Sequence, residues 1–322
     1  MNRSAPASRS SQSGVVLLTA IIMVALATVV AAAIAFDTAM MARRAAGGSA
    51  LDQSLLIAGG AEALAAYALS EQLRQSNSVV HGEQIWAKPI GPLEVVPGVL
   101  LEAQLTDLQG RFNLNDLVDR AGVRNDVAVE AFERLLDAVG LESQWADLMV
   151  DWLDADNNPE PQGAEDSAYT SENPGYRAAN RAITSASELL ALRGFGAERY
   201  RKLAPFVTAL PRGTPINLCT ASGALLDALS NQRQWTQAPD ALARNRAGKC
   251  FPNVTIFQST ADAQVFAKLQ QSLPVGETST YFSLRSLTSI GTAQFALYSL
   301  LSYESGAAAA PRVRVVIRSS TP

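Results

Sequence analysis

Two cysteines, Cys219 and Cys250, and a single histidine, His81, are all the Cys and His that this 322-residue sequence contains. A structural zinc site takes four such ligands, so three widely separated ones exclude it. A Ser-His-Asp triad would have to use His81, which lies in the polar stretch Ser76–Gln84, and no GxSxG elbow occurs in the chain. A P-loop and a GxGxxG turn are missing as well. Positive charge is scarce. A formal net charge of −4 and a pI near 5.2 lack the basic stripe of a nucleic-acid binder. Aromatic residues make up 7% and show no cleft-like clustering, while hydrophobic residues at 48% supply ample core for one large domain or two ordinary ones.

What is present is unevenly distributed. Val15–Phe36 (VVLLTAIIMVALATVVAAAIAF) runs 22 residues without a charge. As a helix it spans roughly 30 Å, the thickness of a bilayer's hydrocarbon core. Arg3 and Arg9 precede it; Asp37, Arg43 and Arg44 follow. Acidity gathers elsewhere: Asp151, Asp154, Asp156, Glu160, Glu165, Asp166 and Glu172 face one basic residue, Arg177, between Asp151 and Asn180. That segment carries −6 of the −4 total, which leaves +2 for the rest of the chain.

Three readings of the apolar run compete. A cleaved secretory signal has an apolar region of about 7–15 residues before a small-residue site, and this stretch is longer, although Ala31, Ala33 and Ala35 fit the site. A plain signal anchor is the second reading. The third rests on the junction Ser13-Gly14-Val15-Val16-Leu17-Leu18-Thr19, which resembles a type IV prepilin-peptidase site. That resemblance implies cleavage between Gly14 and Val15 and methylation of the new Val15 amine. Pilin-like proteins usually carry Glu at the fifth mature position, where it neutralises a neighbour's terminal amine in apolar surroundings. Here the position is Thr19.

Asp37–Gln75 is rich in Ala, Leu, Met and Glu and has no proline, so the helix is expected to continue as an amphipathic one. Gly47-Gly48 and Gly59-Gly60 are places for a bend; two separate helices are the alternative. Leu93–Leu108 alternates around Pro97-Gly98 and reads as a hairpin. Tyr281–Leu287, Gln294–Tyr303 and Val313–Arg318 read as strands, the last with Val313, Val315 and Ile317 against a more polar face. Between these ends the pattern is helical: Val127–Val139, Trp145–Leu153, and a helix opened by the capping box Ser185-x-x-Glu188. Residues from Glu188 to Leu229, with Gly194-Phe195-Gly196 as a hairpin, resemble helix-hairpin-helix repeats; in an acidic chain these read as a packing module.

Three blocks, DLQGRFNLNDL (Asp107–Leu117), DWLDADNNPEPQGAEDSAYTSENPGYRAAN (Asp151–Asn180) and PINLCTASGALLDAL (Pro215–Leu229), resemble the motifs of type II secretion protein K, in the family's order and behind the matching leader. The K-type minor pseudopilin is the pilin-like family that lacks the fifth-position Glu, so Thr19 agrees with it. The resemblance implies an α+β fold: a pilin-like long N-terminal helix on a small antiparallel sheet, with a large inserted helical domain that is helix-hairpin-helix-like and SAM-like. The expected divisions are a leader at 1–14, an assembly helix at 15–36, a pseudopilin domain in two parts at 37–115 and 276–322, and the insertion at 116–275. It also implies a tip subunit that caps a pseudopilus and helps initiate its assembly for export of folded exoproteins. Expected partners are the I- and J-type minor pseudopilins, other pseudopilus subunits, prepilin peptidase and the bacterial inner membrane, crossed once, with the C-terminal domain in the periplasm. No nucleic acid and no enzyme activity are expected.

Asp154-Ala155-Asp156-Asn157-Asn158-Pro159 opens like an EF-hand loop and places Glu165 at the twelfth position. Pro159 stands where that loop needs Gly, so the segment is not an ordinary EF-hand. Its carboxylates, amides and carbonyls still suit a hard cation, which would relieve the self-repulsion of the loop. The family resemblance implies calcium, one or two ions, with Asp154, Asp156, Glu165, Asp166 and Asn180 as ligands. Asp151 reads as a helix terminus, and Tyr169 and Tyr176 as packing residues. A solvated acidic loop and a glycosidase carboxylate pair are the alternatives.

If the folded part lies in the periplasm, as the resemblance implies, disulfides are permitted there. Cys219 and Cys250 then have each other as partners, in a bridge worth about 3–4 kcal/mol. Two buried free thiols are the alternative, which the polar run Arg244–Asn253 around Cys250 disfavours. Cys219 departs from the family's INLNTA-like pattern, which carries Asn there. For the whole chain, a minor type IV pilin for DNA uptake or adhesion is the runner-up function.

Overall fold

A computed structural model describes residues 13–75, 79–306 and 309–321. Most of the expected leader, residues 1–12, lies outside them. The chain divides into two units at Leu56/Ile57. Helix α1 (Ser13–Gln75) is continuous, with both glycine pairs inside it. In the first unit its large apolar side chains, Val15 through Phe36, are exposed, and the helix is long and apolar enough to cross a membrane. Thr19, Thr28 and Thr38 return their hydroxyls to carbonyls of their own helix (Val16, Ala25 and Ile34), so no polar side chain in this run needs a partner elsewhere.

The second unit holds an antiparallel five-stranded sheet in the order β1 (Ile90–Val96), β2 (Val99–Asp107), β7 (Tyr281–Ile290), β8 (Ala293–Gly306) and β9 (Ala309–Ser319). The expected hairpin is β1–β2: Val96 pairs with Val99, and Gly98 takes the positive φ that the turn requires. Strand β1 is exposed throughout and carries Pro92, as an edge strand can. One expectation fails in β9. Leu300 pairs with Ile317 and Leu301 with Val315, so Val316 is an extra residue that breaks the alternation and leaves Ile317 41% exposed. Leu69 and Leu73 of α1 pack with Trp86, Leu105, Phe282, Leu284 and Leu301 in the sheet's own core. Glu62, 4% exposed, is held by Ser299 (2.7 Å) and by Nη2 and Nε of Arg318 (2.6 and 3.0 Å).

Strands β2 and β7 are neighbours in the sheet, yet the chain leaves one at Asp107 and enters the other at Tyr281. Between them lies the insertion, with a separate core of buried residues running from Phe112 to Leu273. It comprises β3 (Phe112–Asn113), α2 (Asp126–Ala138), α3 (Gln144–Leu153), α4 (Asp166–Thr170), α5 (Gly196–Leu203), β4 (Val207–Thr208), β5 (Ile216–Asn217), α6 (Gly223–Ser230), α7 (Pro239–Arg246), α8 (Val254–Thr260), α9 (Ala263–Ser272) and β6 (Val275–Gly276). The two expected helices α2 and α3 are present within a residue of their expected ends. The capping box behaves differently: Ser185 accepts from Ser187 N, Glu188 reaches back to Thr184 N, and the segment Ala186–Ala191 is a 3-10 helix. Of the expected helix-hairpin-helix, the second arm, α5, is α-helical.

The neck between sheet and insertion is a polar knot. Asp107, 6% exposed, accepts from Gln109 N (2.8 Å), Asn217 Nδ2 (2.9 Å), Thr220 Oγ1 (2.5 Å) and Ser279 Oγ (2.7 Å). Gly110 permits the contact, because a Cβ there would lie 2.6 Å from Thr220 Oγ1. Asn113 and Asn115 stitch further in, binding the backbone at Ile183, Leu210 and Pro211. Two of the three sequence motifs therefore build the neck.

Candidate metal centre

Helix α3 owes its register to Trp145, Met149 and Trp152, which are buried in the insertion core. It continues through Leu153, so Asp151 in its last turn and Asp154 at its end are three residues apart and share a face. Glu165, just before α4, meets them: one carboxylate oxygen from each of Asp151, Asp154 and Glu165 lies within 4.8 Å of the others. All three are buried, at 0%, 6% and 6% exposure. Like charges this close and this dry repel each other. Burial first, then neighbouring acids, raises Asp154 to about 6 and Glu165 to about 7. Burial likewise raises Asp151 to about 6, against the pull of backbone donors at Glu160 and Ala164.

Hydrogen bonding separates the three. Asp151 accepts from Glu160 N at 3.0 Å. By contrast Asp154 Oδ1, Glu165 Oε1 and Glu165 Oε2 are buried and have no partner among the described residues, and neither has Asn180 Oδ1. Asn180 is fixed by its own N–H on Trp152 O (3.0 Å) and by Nδ2 on Asp156 O (3.1 Å), in a left-handed conformation with φ 45°. Four orphaned oxygens, acceptors without donors, are what a hard cation satisfies. The residues fit such an ion.

The basic residues around this loop pair with its outer acids (Arg177 with Asp166 at 3.7 Å and Arg193 with Glu172 at 2.8 Å), and among the described residues none pairs with Asp151, Asp154 or Glu165. Arg124 neutralises the outer acids, Asp147 (2.8 Å) and Glu160 (3.0 Å). Gly163 is obligatory, since a Cβ there would lie 1.9 Å from Asp151 Oδ2. Tyr169 packs edge-on to Trp152 (5.2 Å) and beside Tyr176 (5.3 Å), whose hydroxyl donates to Ala191 O. Of the expected ligands, Asp154 and Glu165 belong to the group of three. Asp156 is exposed and accepts from Asn158 N; Asp166 accepts from Ala178 N; both stand outside the group. Asp151 was legible only as a helix terminus. The signal was its i, i+3 spacing to Asp154 once α3 is known to reach Leu153. Away from this loop, Cys219 and Cys250 are joined in a disulfide with Cα atoms 4.6 Å apart.

A family model described as type II secretion system protein K matches residues 110–212, which contain the whole acidic loop. The type II secretion system protein K of Pseudomonas aeruginosa is 37% identical over 231 residues, 69% of this chain and 69% of that protein. The chain belongs to the type II secretion system protein K family. The protein of that name from Pectobacterium carotovorum subsp. carotovorum is 29% identical over 306 residues, 91% of this chain and 93% of the relative. A solved relative covers most of the fold as well. In the crystal structure of the GspK-GspI-GspJ complex from the enterotoxigenic Escherichia coli type 2 secretion system, one chain superposes with a TM-score of 0.72 at 27% identity. That match spans 86% of this chain and 98% of the other. As a protein K, this chain is a minor pseudopilin: the long helix, the sheet and the helical insertion are the family's parts.

Proposed function

We propose that this chain ends a pseudopilus as its tip subunit, in complex with I- and J-type minor pseudopilins, and that calcium in the acidic loop completes its insertion. The observation that carries the first half is the match, over 86% of the chain, to a subunit of a GspK-GspI-GspJ complex. Thr19 supports it. A subunit whose fifth mature residue is neutral has no charge to offer a neighbour's terminal amine, and the Thr19 hydroxyl is already bonded to Val16 O at 3.0 Å. Export of folded exoproteins is the process served, and the role is structural, not enzymatic. The chain crosses the inner membrane once through Val15–Phe36, with the remainder in the periplasm. Prepilin peptidase cuts between Gly14 and Val15, and Val15 is then methylated.

The second half is supported by the orphaned oxygens. Asp154, Glu165, Asn180 and Asp151 would hold the ion, with Asp156 and Asp166 as further carboxylates for it or for a second ion. Calcium suits this donor set because it takes six to eight hard oxygens in flexible geometry. Bound there, it supplies charge neutralisation and ties α3 to α4.

Intact-mass analysis of membrane-extracted chain, with and without prepilin peptidase, tests maturation: loss of residues 1–14 and gain of one methyl is expected. Cleavage near Ala35 would remove the anchor argument. Co-expression with I- and J-type subunits is expected to yield a three-protein complex. Failure to co-purify, or incorporation in mid-filament, overturns the tip assignment.

A further inference from the structure

Behind Asp151, Asp154 and Glu165 stands a second tier of acids. Asp147 lies one turn earlier on α3, and Glu160 lies in the loop between α3 and α4. These outer acids reach the inner ones. Glu160 gives its backbone N–H to Asp151 at 3.0 Å, and its charge adds to the upward shifts of both Asp151 and Asp154; Asp147 adds to that of Asp151. A cation held by the inner three would therefore feel the outer two as well.

One arginine stands between the tiers and that outcome. Arg124 Nη1 lies 2.8 Å from Asp147 Oδ1 and 3.0 Å from Glu160 Oε2, so a single nitrogen holds both acids, while Nε meets the exposed Asp126 at 3.1 Å. Arg124 comes from outside the acidic loop. The turn before it is fixed by Asp119 Oδ1, which accepts from Ala121 N (2.8 Å) and Val123 N (3.0 Å). Arg124 itself bridges to Val118, and the next residue, Asn125, caps α2 through Ala128 N. Its guanidinium is thus placed by the frame of the insertion and not by the loop that it restrains. Arg212 also approaches, but its Nη2 donates to a carbonyl, Leu153 O, at 3.3 Å.

We propose that Arg124 sets the calcium affinity of the acidic loop: by pairing with Asp147 and Glu160 it withholds their charge from the trio, and the loop binds calcium more weakly than five unpaired acids would. This role rests on the calcium reading proposed above. It carries a signature of its own, because a Coulomb energy scales with the charge of the ion. Removing Arg124's charge should favour a trivalent ion more than a divalent one.

The test is calorimetric titration of the full chain in neutral detergent, stripped with chelator, first with calcium and then with lanthanum. Arg124→Gln is expected to bind calcium about fivefold tighter and lanthanum about tenfold tighter. Arg124→Lys keeps the charge and is expected to match the parent within about twofold. Glu160→Gln keeps the backbone bond to Asp151 and is expected to weaken calcium; combined with Arg124→Gln it should return the affinity toward the parent's. Circular dichroism in chelator checks the fold of each variant, and Glu160→Gln carries the test if Arg124→Gln does not fold. An arginine that merely braces the loop gives the opposite sign, since its loss would weaken both ions. Unchanged or weaker calcium binding by Arg124→Gln, equal gains for the two ions, or no effect of Glu160→Gln would each overturn the role. If the parent binds no calcium, the cation reading of the loop falls first and this role with it.

Discussion

Asp107 and the trio of Asp151, Asp154 and Glu165 are buried to a similar degree, yet their oxygens are treated in opposite ways. Asp107 sits in the neck with donors from four residues, which together do for its charge what water did outside. Burial still pushes its pKa up, and those donors pull it back. The trio has acids for neighbours, and most of its inward oxygens lack a donor. A buried carboxylate surrounded by donors is a structural lock. Buried carboxylates surrounded by one another leave like charges facing each other uncompensated. Both lie in the insertion: the first fixes it to the sheet, the second sits where α3 meets its acidic loop.

The largest effect separating them is expected from Asp107→Ala. Asn217, Thr220 and Ser279 would each lose a buried acceptor, at a cost of about 3 kcal/mol or more. Because the knot holds no site for an ion, the loss should be the same in chelator and in calcium. Urea denaturation of the variant under both conditions measures it. A loss that calcium restores would place Asp107 in the cation's environment and break the contrast.

Glu165→Gln acts on the other side and should change sign with the ion. Without divalent cations it removes one of three repelling charges, so the variant is expected to be more stable than the parent. With calcium at a hundredfold excess over its Kd, the parent gains about 2.7 kcal/mol, most of which the variant forfeits. Thermal unfolding in chelator and in calcium gives both numbers. Asp156→Asn sharpens the ligand set. If it erases the calcium gain as fully as Glu165→Gln does, the exposed loop carboxylate turns inward on binding.

Sequence patterns revealed more of the architecture than of the site. The charge-free run, the Pro97-Gly98 hairpin and the spacing of α2 and α3 each follow from local physics, and their outlines were legible. The bulge at Val316 was not, because an extra residue leaves no mark on an alternating string. The 3-10 segment after Ser185 shows the same limit: a capping pattern announces a turn, and packing decides whether an α-helix follows. Motif resemblance pointed to Gln109, Asn113, Asn115 and Asn217 without saying what they do. Their roles depend on partners about 60 to 170 residues away, across the neck and within the insertion. The same distance explains Asp151. Its contact with Glu165 is a tertiary fact, and the polar letters around it fit a helix end just as well.

The last contrast is in pH dependence, where the sign decides. Asp151, Asp154 and Glu165 have ordinary values of 3.8, 3.8 and 4.5 and are raised in the fold to about 6, 6 and 7. Between roughly pH 4 and 7 the folded chain therefore binds more protons than the unfolded one, and its stability falls as pH rises through that window. Asp116, raised to about 6 by burial against the pull of the Gly213 N–H, Asn113 and Arg212, adds a slope of the same sign that has nothing to do with the trio. The informative quantity is therefore a difference. Calcium requires the trio ionised in the folded state, so it should remove their share and leave that of Asp116. Melting temperatures from pH 5 to 7.5 are expected to decline more steeply in chelator than in calcium. Parallel curves would mean that the three carboxylates do not titrate together with an ion, and that their crowding is tolerated for some other reason.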